Sequence, residues 1–379
     1  MSWEQAQGRG HLRRRMLPAA GVVVVAAAVA FATIVGRDAR GTLAVRPSDP
    51  VVATASGAPS ERSTPGDRPS AEPVAVTTGS GALLPGGADF TIIAADQSGW
   101  RVIEVATGAV TRWRLHGIGQ WMSQALFPSG DDLVLNAGLG PSDVYRVAPD
   151  GRAVRIATRR QAIPTVADNG AVWVHDGLSD DFGGVVSLVE PDGSVRERVV
   201  LPSLTRPAVG TGAGLLVTTD AGTALVSDGR VRPVLADATV VAADPDRVAH
   251  VTCDPAPSCE VLIGSYDQPE QHRLLLAPGD VPGGYFGPGL GRFSPDGRWL
   301  ALPVFTQSAR GYITIVDTRT GERVGRPEGS ARPFSSALAW SPDSEWLVLS
   351  SGDGIDAWNS RSGGVVNMDT GAVQALAVR

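Results

Sequence analysis

Three patterns of apolar and polar positions follow one another along the chain. The first is a run of 21 residues without a charge, Met16 to Gly36 (MLPAAGVVVVAAAVAFATIVG). A helix rises about 1.5 Å per residue, so roughly 20 such residues cross the hydrocarbon of a bilayer. The run therefore predicts one transmembrane helix at 16–36. The second pattern, residues 37–79, is rich in Pro, Ser, Gly and charge and has no aromatic residue between Arg37 and Asp89. It buries too little apolar surface to offset the entropy of ordering, and predicts a flexible linker. The third pattern fills residues 80–379. Short alternating runs such as VWVHD and YITIVD recur between Gly, Pro and Asp clusters. They are too short and too alternating for amphipathic helices, so they predict strands joined by turns.

The strands repeat. Phe293-Ser294-Pro295-Asp296-Gly297-Arg298-Trp299-Leu300-Ala301-Leu302 matches Trp340-Ser341-Pro342-Asp343-Ser344-Glu345-Trp346-Leu347-Val348-Leu349. In each, proline sets φ at the second turn position and a tryptophan opens the next strand. Five degenerate copies lie upstream: Pro85-Gly86-Gly87, Pro128-Ser129-Gly130, Asp168-Asn169-Gly170, Thr211-Gly212-Ala213-Gly214 and Asp244-Pro245-Asp246 each lead into an apolar run. A second turn series interleaves with these at Gly108, Gly151, Gly193, Gly229, Gly321 and Gly371, with Asp267-Gln268-Pro269-Glu270 filling the one gap. Seven units of ~36–50 residues with four short strands apiece have the period of a β-propeller. The first unit (80–115) and the last (334–379) each read as holding four strands, which implies closure without strand exchange; six or eight blades also fit the spacing.

SPDGRWLAL and SPDSEWLVL resemble the turn-plus-strand signature of TolB-type, WD-like bacterial propeller repeats. The match covers residues 285–379, and the rest rests on spacing. The chain departs from true WD repeats, having no Trp-Asp dipeptide at a strand end and no Gly-His opening a blade. The resemblance implies a binding or scaffolding platform more often than a catalyst, and fold analogy alone assigns no function.

Charge fixes the expected address. Arg9, Arg13, Arg14 and Arg15 precede the apolar run, while Arg37 and Asp38 nearly cancel after it. By the positive-inside rule, residues 1–15 stay in the cytoplasm and the C-terminal domain is extracytoplasmic. A cleavable signal is the alternative, since Ala30-Phe31-Ala32 has the spacing of a cleavage site, and the mature protein would then be secreted. Both readings export the strand-rich body. All 33 basic residues are arginine, a composition that reads as codon bias in a GC-rich genome. Beyond residue 40 there are 27 arginines against 37 acids. That acidic balance argues against a nucleic-acid partner, which needs a basic footprint.

Little in the chain reads as chemistry. Cys253 and Cys259 flank a proline-containing tip (HVTCDPAPSCEVLIG) and are expected to form a disulfide across a hairpin in an exported protein. His11, His116, His175, His250 and His272 are scattered without metal-ligand spacing. His175, beside Asp176, reads as a solvated loop residue. No metal or other cofactor is expected, and no Gly-x-Ser-x-Gly nucleophile motif occurs. Loops joining blades, or joining second to third strands, gather on one rim of a propeller. His116, Trp121, Asp180, Asp181, Tyr285, Phe286, Arg310 and Asp353 are placed there as a candidate binding rim, with core packing at a strand start the competing reading of Tyr285 and Phe286. The expected function is a membrane-tethered, non-catalytic platform for an envelope protein, peptide or glycan. The alternative is a metal-dependent lactonase or hydrolase in the central funnel, which would need acids or histidines converging from several blades. A sensor ectodomain is the weakest option, because the cytoplasmic segment has room for no signalling domain.

Overall fold

The computed structural model describes residues 71–379 apart from 80, 97–98, 116–122, 138–141, 166–169, 177–182, 254–258, 267, 269–270, 278–283, 307–310, 326–337, 351–353 and 369–372. The expected cytoplasmic segment, transmembrane helix and most of the linker lie outside the described residues. No helix among those described is long and apolar enough to cross a membrane.

The described chain is a succession of antiparallel sheets with no α-helix. Each sheet is a meander that runs outward from a central axis, and together they form a β-propeller. Four sheets are built from chain-consecutive strands alone. One spans Arg206–Thr211 to Arg230–Ala236 and the next Thr239–Ala243 to Arg273–Leu276. The other two run from Gly284–Phe286 to Arg323–Gly325 and from Leu338–Trp340 to Val365–Met368. Between residues 123 and 201 two meanders merge into one seven-stranded sheet. Strand Ala153–Ala162 joins them, because its first half is the outer strand of one meander and its end pairs with Val174 and His175 of the next. Buried Asn136 supports the crossover, accepting from the Ala162 amide at 2.6 Å and donating to the Arg160 carbonyl at 2.9 Å.

Closure differs from the sequence expectation. The first unit supplies only three strands of its own four, and the last unit supplies one too many. Strand Ala375–Val378 leaves the last meander and pairs with Thr91–Asp96, in the register Ile92 to Val378 and Ala95 to Ala375. The third-to-fourth turn of the last unit is the one at Asn359–Val365, which contains Gly363; Gly371 lies outside the described residues, beyond that meander. The reason is two-sided burial. Leu376 and Val378 pack with Trp346, Val348 and Ile355, while Ala375 and Ala377 pack with Leu126, Leu133 and Leu135. A four-residue strand with both faces apolar must be covered by a sheet on either side, and the inner edge of the first sheet is such a place.

The linker also ends earlier than residue 79. Ala71–Thr77 forms a fifth, outermost strand on the first sheet, paired with Val110–Leu115. Its side chains are exposed apart from Ala71, whose amide donates to the Gly151 carbonyl at 2.8 Å. Backbone pairing therefore holds this strand more than burial does.

The interior is partitioned. Seven apolar clusters are present among the described residues, and each lies between neighbouring meanders rather than in one common core. Turns join the meanders on one rim. Arg379 donates to the Asp131 carbonyl at 3.1 Å, Ser129 to Gly170 at 3.1 Å and Arg247 to Gly297 at 2.9 Å. The Ser344 hydroxyl accepts from the Asp296 amide at 2.9 Å. The two Ser-Pro-Asp turns share one geometry. The Ser294 and Ser341 hydroxyls each accept from the amide of the tryptophan five residues on, at 2.9 Å in both. Asp296 and Asp343 each accept from the amide two residues on, at 3.0 Å.

Candidate functional site

The inner strands do not meet at the axis. They surround a cavity of about 740 Å³, a size typical of small-ligand sites. Among the described residues seven inner segments line it, represented by Phe127, Ile163, Val209, Ala243, Arg292, Trp340 and Leu376. Neighbouring segments are tied to one another through backbone bonds, with the Gly210 amide donating to Pro164 at 2.8 Å and the Gly291 amide to Val241 at 2.8 Å. The close approach at residues 287–293 requires glycine. Gly289 has φ +65°, and a Cβ there would come within 2.4 Å of the Ala208 carbonyl oxygen.

Most of the wall is apolar. Ser129, Gln161, Thr165, His175 and Arg292 are its polar side chains among the described residues, and no Asp or Glu lines it. Arg292 is the only arginine in the wall among the described residues. It lies on the short strand Arg292–Phe293 and is part-buried, with its Nη1 donating to the carbonyls of Gly289 and Gly291 at 2.8 Å each. The Trp340 indole N–H donates to the Arg292 carbonyl at 3.1 Å, which fixes the backbone on which the guanidinium is carried. Burial pushes the Arg292 guanidinium down to about 10, so it is still charged at neutral pH.

His175 is not the solvated loop residue that its position beside Asp176 suggested. It ends strand Val172–His175, is buried, and its Nε2 lies 2.5 Å from the Gly183 carbonyl oxygen. Burial and the nearby Arg160 charge lower its pKa, against the opposing effect of the Gly183 bond. Arg160 itself pairs with Asp176 at 2.8 Å. Position in the sheet explains the difference. His175 belongs to a strand, where it lines the axial cavity, rather than to the loop that follows it.

The candidate rim is largely outside the described residues: His116, Trp121, Asp180, Asp181, Arg310 and Asp353 all fall there. Tyr285 lies on strand Gly284–Phe286, opposite Phe305. Phe286 follows the competing reading of core packing rather than the rim. It is 7% exposed and packs with Leu302, Val304 and Val251 between two meanders, because alternation on this strand turns it inward. Cys253 and Cys259 are joined as a disulfide and face one another across the hairpin, with Cα atoms 4.1 Å apart.

Arg292 was missed from sequence, yet a signal for it existed. In the two matching repeats Phe293 aligns with Trp340, so Arg292 aligns with Ala339. Both positions line the cavity. An arginine in a position that its sister repeat fills with alanine is not required by the repeat itself.

No protein-family model matches the chain. Among curated proteins, WD repeat-containing protein 1 of Bos taurus is 43% identical over 82 residues, covering 21% of this chain and 13% of that protein. The Rattus norvegicus protein of the same name is 47% identical over 64 residues, 16% of this chain and 10% of that protein. The chain thus spans about a tenth of the length of the curated relatives it matches. Among solved structures, TolB from Acinetobacter baumannii aligns with a TM-score of 0.48 and 12% identity, over 78% of this chain and 68% of that one. The Neurospora crassa Pan2 WD40 domain aligns at 0.46 and 11% identity, over 80% and 99%. Apo AztD from Citrobacter koseri aligns at 0.44 and 11%, over 77% and 98%. With its outward-running antiparallel meanders and a last strand that closes the first sheet, the chain has the architecture of a β-propeller.

Proposed function

We propose that this chain is a non-catalytic binding platform on a seven-bladed propeller, tethered outside the cell by its N-terminal helix, for an envelope protein, peptide or glycan. Seven interface clusters and seven inner segments around the cavity support that blade count. The observation that carries the binding reading is the axial cavity of about 740 Å³, with a wall that is apolar and free of carboxylates among the described residues. A metal-dependent hydrolase would need acids or histidines converging from several blades, and among the described residues this wall offers His175 alone. Apolar lining with a few placed polar groups is instead the make-up of a recognition site.

The test uses the full chain as bait in detergent-solubilised membranes, followed by identification of what it retains. Recovery of a reproducible envelope partner is the expected result. Recovery of none, together with metal-dependent hydrolysis by the purified protein, would overturn the platform reading. Export is tested on the same full chain by cysteine labelling within residues 37–70, where labelling only after lysis would refute it.

A further inference from the structure

We propose that the axial cavity takes a small, singly charged, apolar carboxylic acid, with Arg292 as the cation that pairs with its carboxylate. The inference rests on the reading of the cavity as a binding site and names the chemistry of what it holds.

The Arg292 guanidinium is only partly engaged by the protein. Its Nη1 is committed to the carbonyls of Gly289 and Gly291. Nε and Nη2 form no hydrogen bond among the described residues, and the side chain lines the cavity. That free edge presents two parallel N–H donors, the geometry that matches the two oxygens of a carboxylate. Other partly buried arginines here have acids. Arg101 lies 3.5 Å from Asp96, Arg146 3.4 Å from Asp132, and Arg247 is bonded to Asp244 at 2.6 Å. Arg292 has no carboxylate beside it among the described residues, and a desolvated charge without a partner is unfavourable until an anion supplies one.

The rest of the wall selects the rest of the ligand. Phe127, Ile163, Val209, Leu338 and Leu376 offer apolar contact around the one cation. The acidic balance of the body, 27 arginines against 37 acids beyond residue 40, disfavours polyanions approaching the propeller and leaves a monoanion as the fitting charge. The repeat comparison separates this from a folding role. Ala339 occupies the matching position in the sister repeat and lines the same cavity without any charge.

The test is calorimetric titration of the full chain in detergent with 4-phenylbutyrate and with its uncharged amide, which has the same apolar body. The acid is expected to bind at least tenfold more tightly than the amide. Arg292→Gln should remove that preference by weakening the acid tenfold or more while leaving the amide unchanged. Arg292→Lys should retain part of it. Equal binding of acid and amide to the unmodified chain overturns the proposal without any variant having to fold, and leaves the platform reading in place. Binding of neither probe also overturns it. The platform reading falls only if the membrane pull-down fails as well.

Discussion

The sheets at residues 292–368 and the sheet built on Thr91–Asp96 are held together differently. In the first region each meander is complete within one stretch of chain. Its Ser-Pro-Asp turn sets the register, and the turns of adjacent sheets are tied through Asp296 and Ser344. Buried tryptophans Trp299, Trp340, Trp346 and Trp358 fill the spaces on either side. In the second region the inner strand comes from Ala375–Val378, almost three hundred residues away, and small or aliphatic side chains replace the aromatics on it. Local turn chemistry organises one region, and chain closure organises the other. A ring whose interior is split into interface layers needs both, since a layer left without its neighbour is exposed on one face.

The largest expected effect tests closure. Deleting residues 375–379 removes Leu376 and Val378 from one interface, removes Ala375 and Ala377 from another, and exposes the ladder edge of Thr91–Asp96. Burial of such side chains contributes about 1.5–3 kcal/mol each, so the loss is expected at about 5 kcal/mol or more, a large part of typical domain stability. Urea unfolding should show a collapsed midpoint or a chain that no longer folds cooperatively. An unchanged midpoint would mean that the terminal strand is dispensable.

A smaller effect tests the turn-organised region. Trp299→Ala empties a site packed by Ile313, Leu338 and Leu347, and is expected to be destabilising by about 3–5 kcal/mol. The same denaturant series measures it. A loss below about 1 kcal/mol would show that the neighbouring side chains collapse into the space.

The smallest effect concerns the tie between turns. Ser344 has φ 62°, a conformation more easily adopted by the Gly297 that occupies the matching position at φ 66°. Ser344→Ala keeps that strained backbone and removes the bond to the Asp296 amide, so about 1 kcal/mol of destabilisation is expected. Ser344→Gly relieves the backbone and should lie closer to the unmodified protein. Acid titration sharpens this further. Burial alone would push the Asp296 carboxyl up. Bonds from Ser294, the Arg298 amide and Ser344, with the Arg298 charge, outweigh burial and hold it below the usual carboxylate range. A depressed folded-state value means stability that is present above the ordinary carboxylate pKa of about 3.9 and lost as pH falls through the folded value. Ser344→Ala should therefore narrow the fall in unfolding midpoint between about pH 5 and pH 3. An identical fall in both proteins would remove Ser344 from the account.

Strand content and turn positions were legible because their causes are local. Alternation such as that in YITIVD and the fixed φ of proline after Ser294 and Ser341 act within a few residues. The Cys253–Cys259 pairing was legible for the same reason, since the two cysteines are six residues apart. Strand Ala71–Thr77 was hidden because its alternation is weak and its side chains are mostly exposed, so only backbone pairing marks it. His175 was misplaced, and Phe286 was left between rim and core, because the burial of a residue on a short strand depends on which distant segments pack around it.

By itself the sequence determined a chain of repeated, turn-bounded antiparallel strands with a hairpin disulfide. Those features follow from dihedral preferences and from the two-residue period of a strand, which need no knowledge of distant partners. The tertiary structure alone decided that the last strand completes the first sheet, that the seven inner segments leave a cavity, and that Arg292 stands in its wall without an acid beside it among the described residues. Each depends on segments far apart in sequence being brought to one axis, and only a closed ring of packed sheets brings them there.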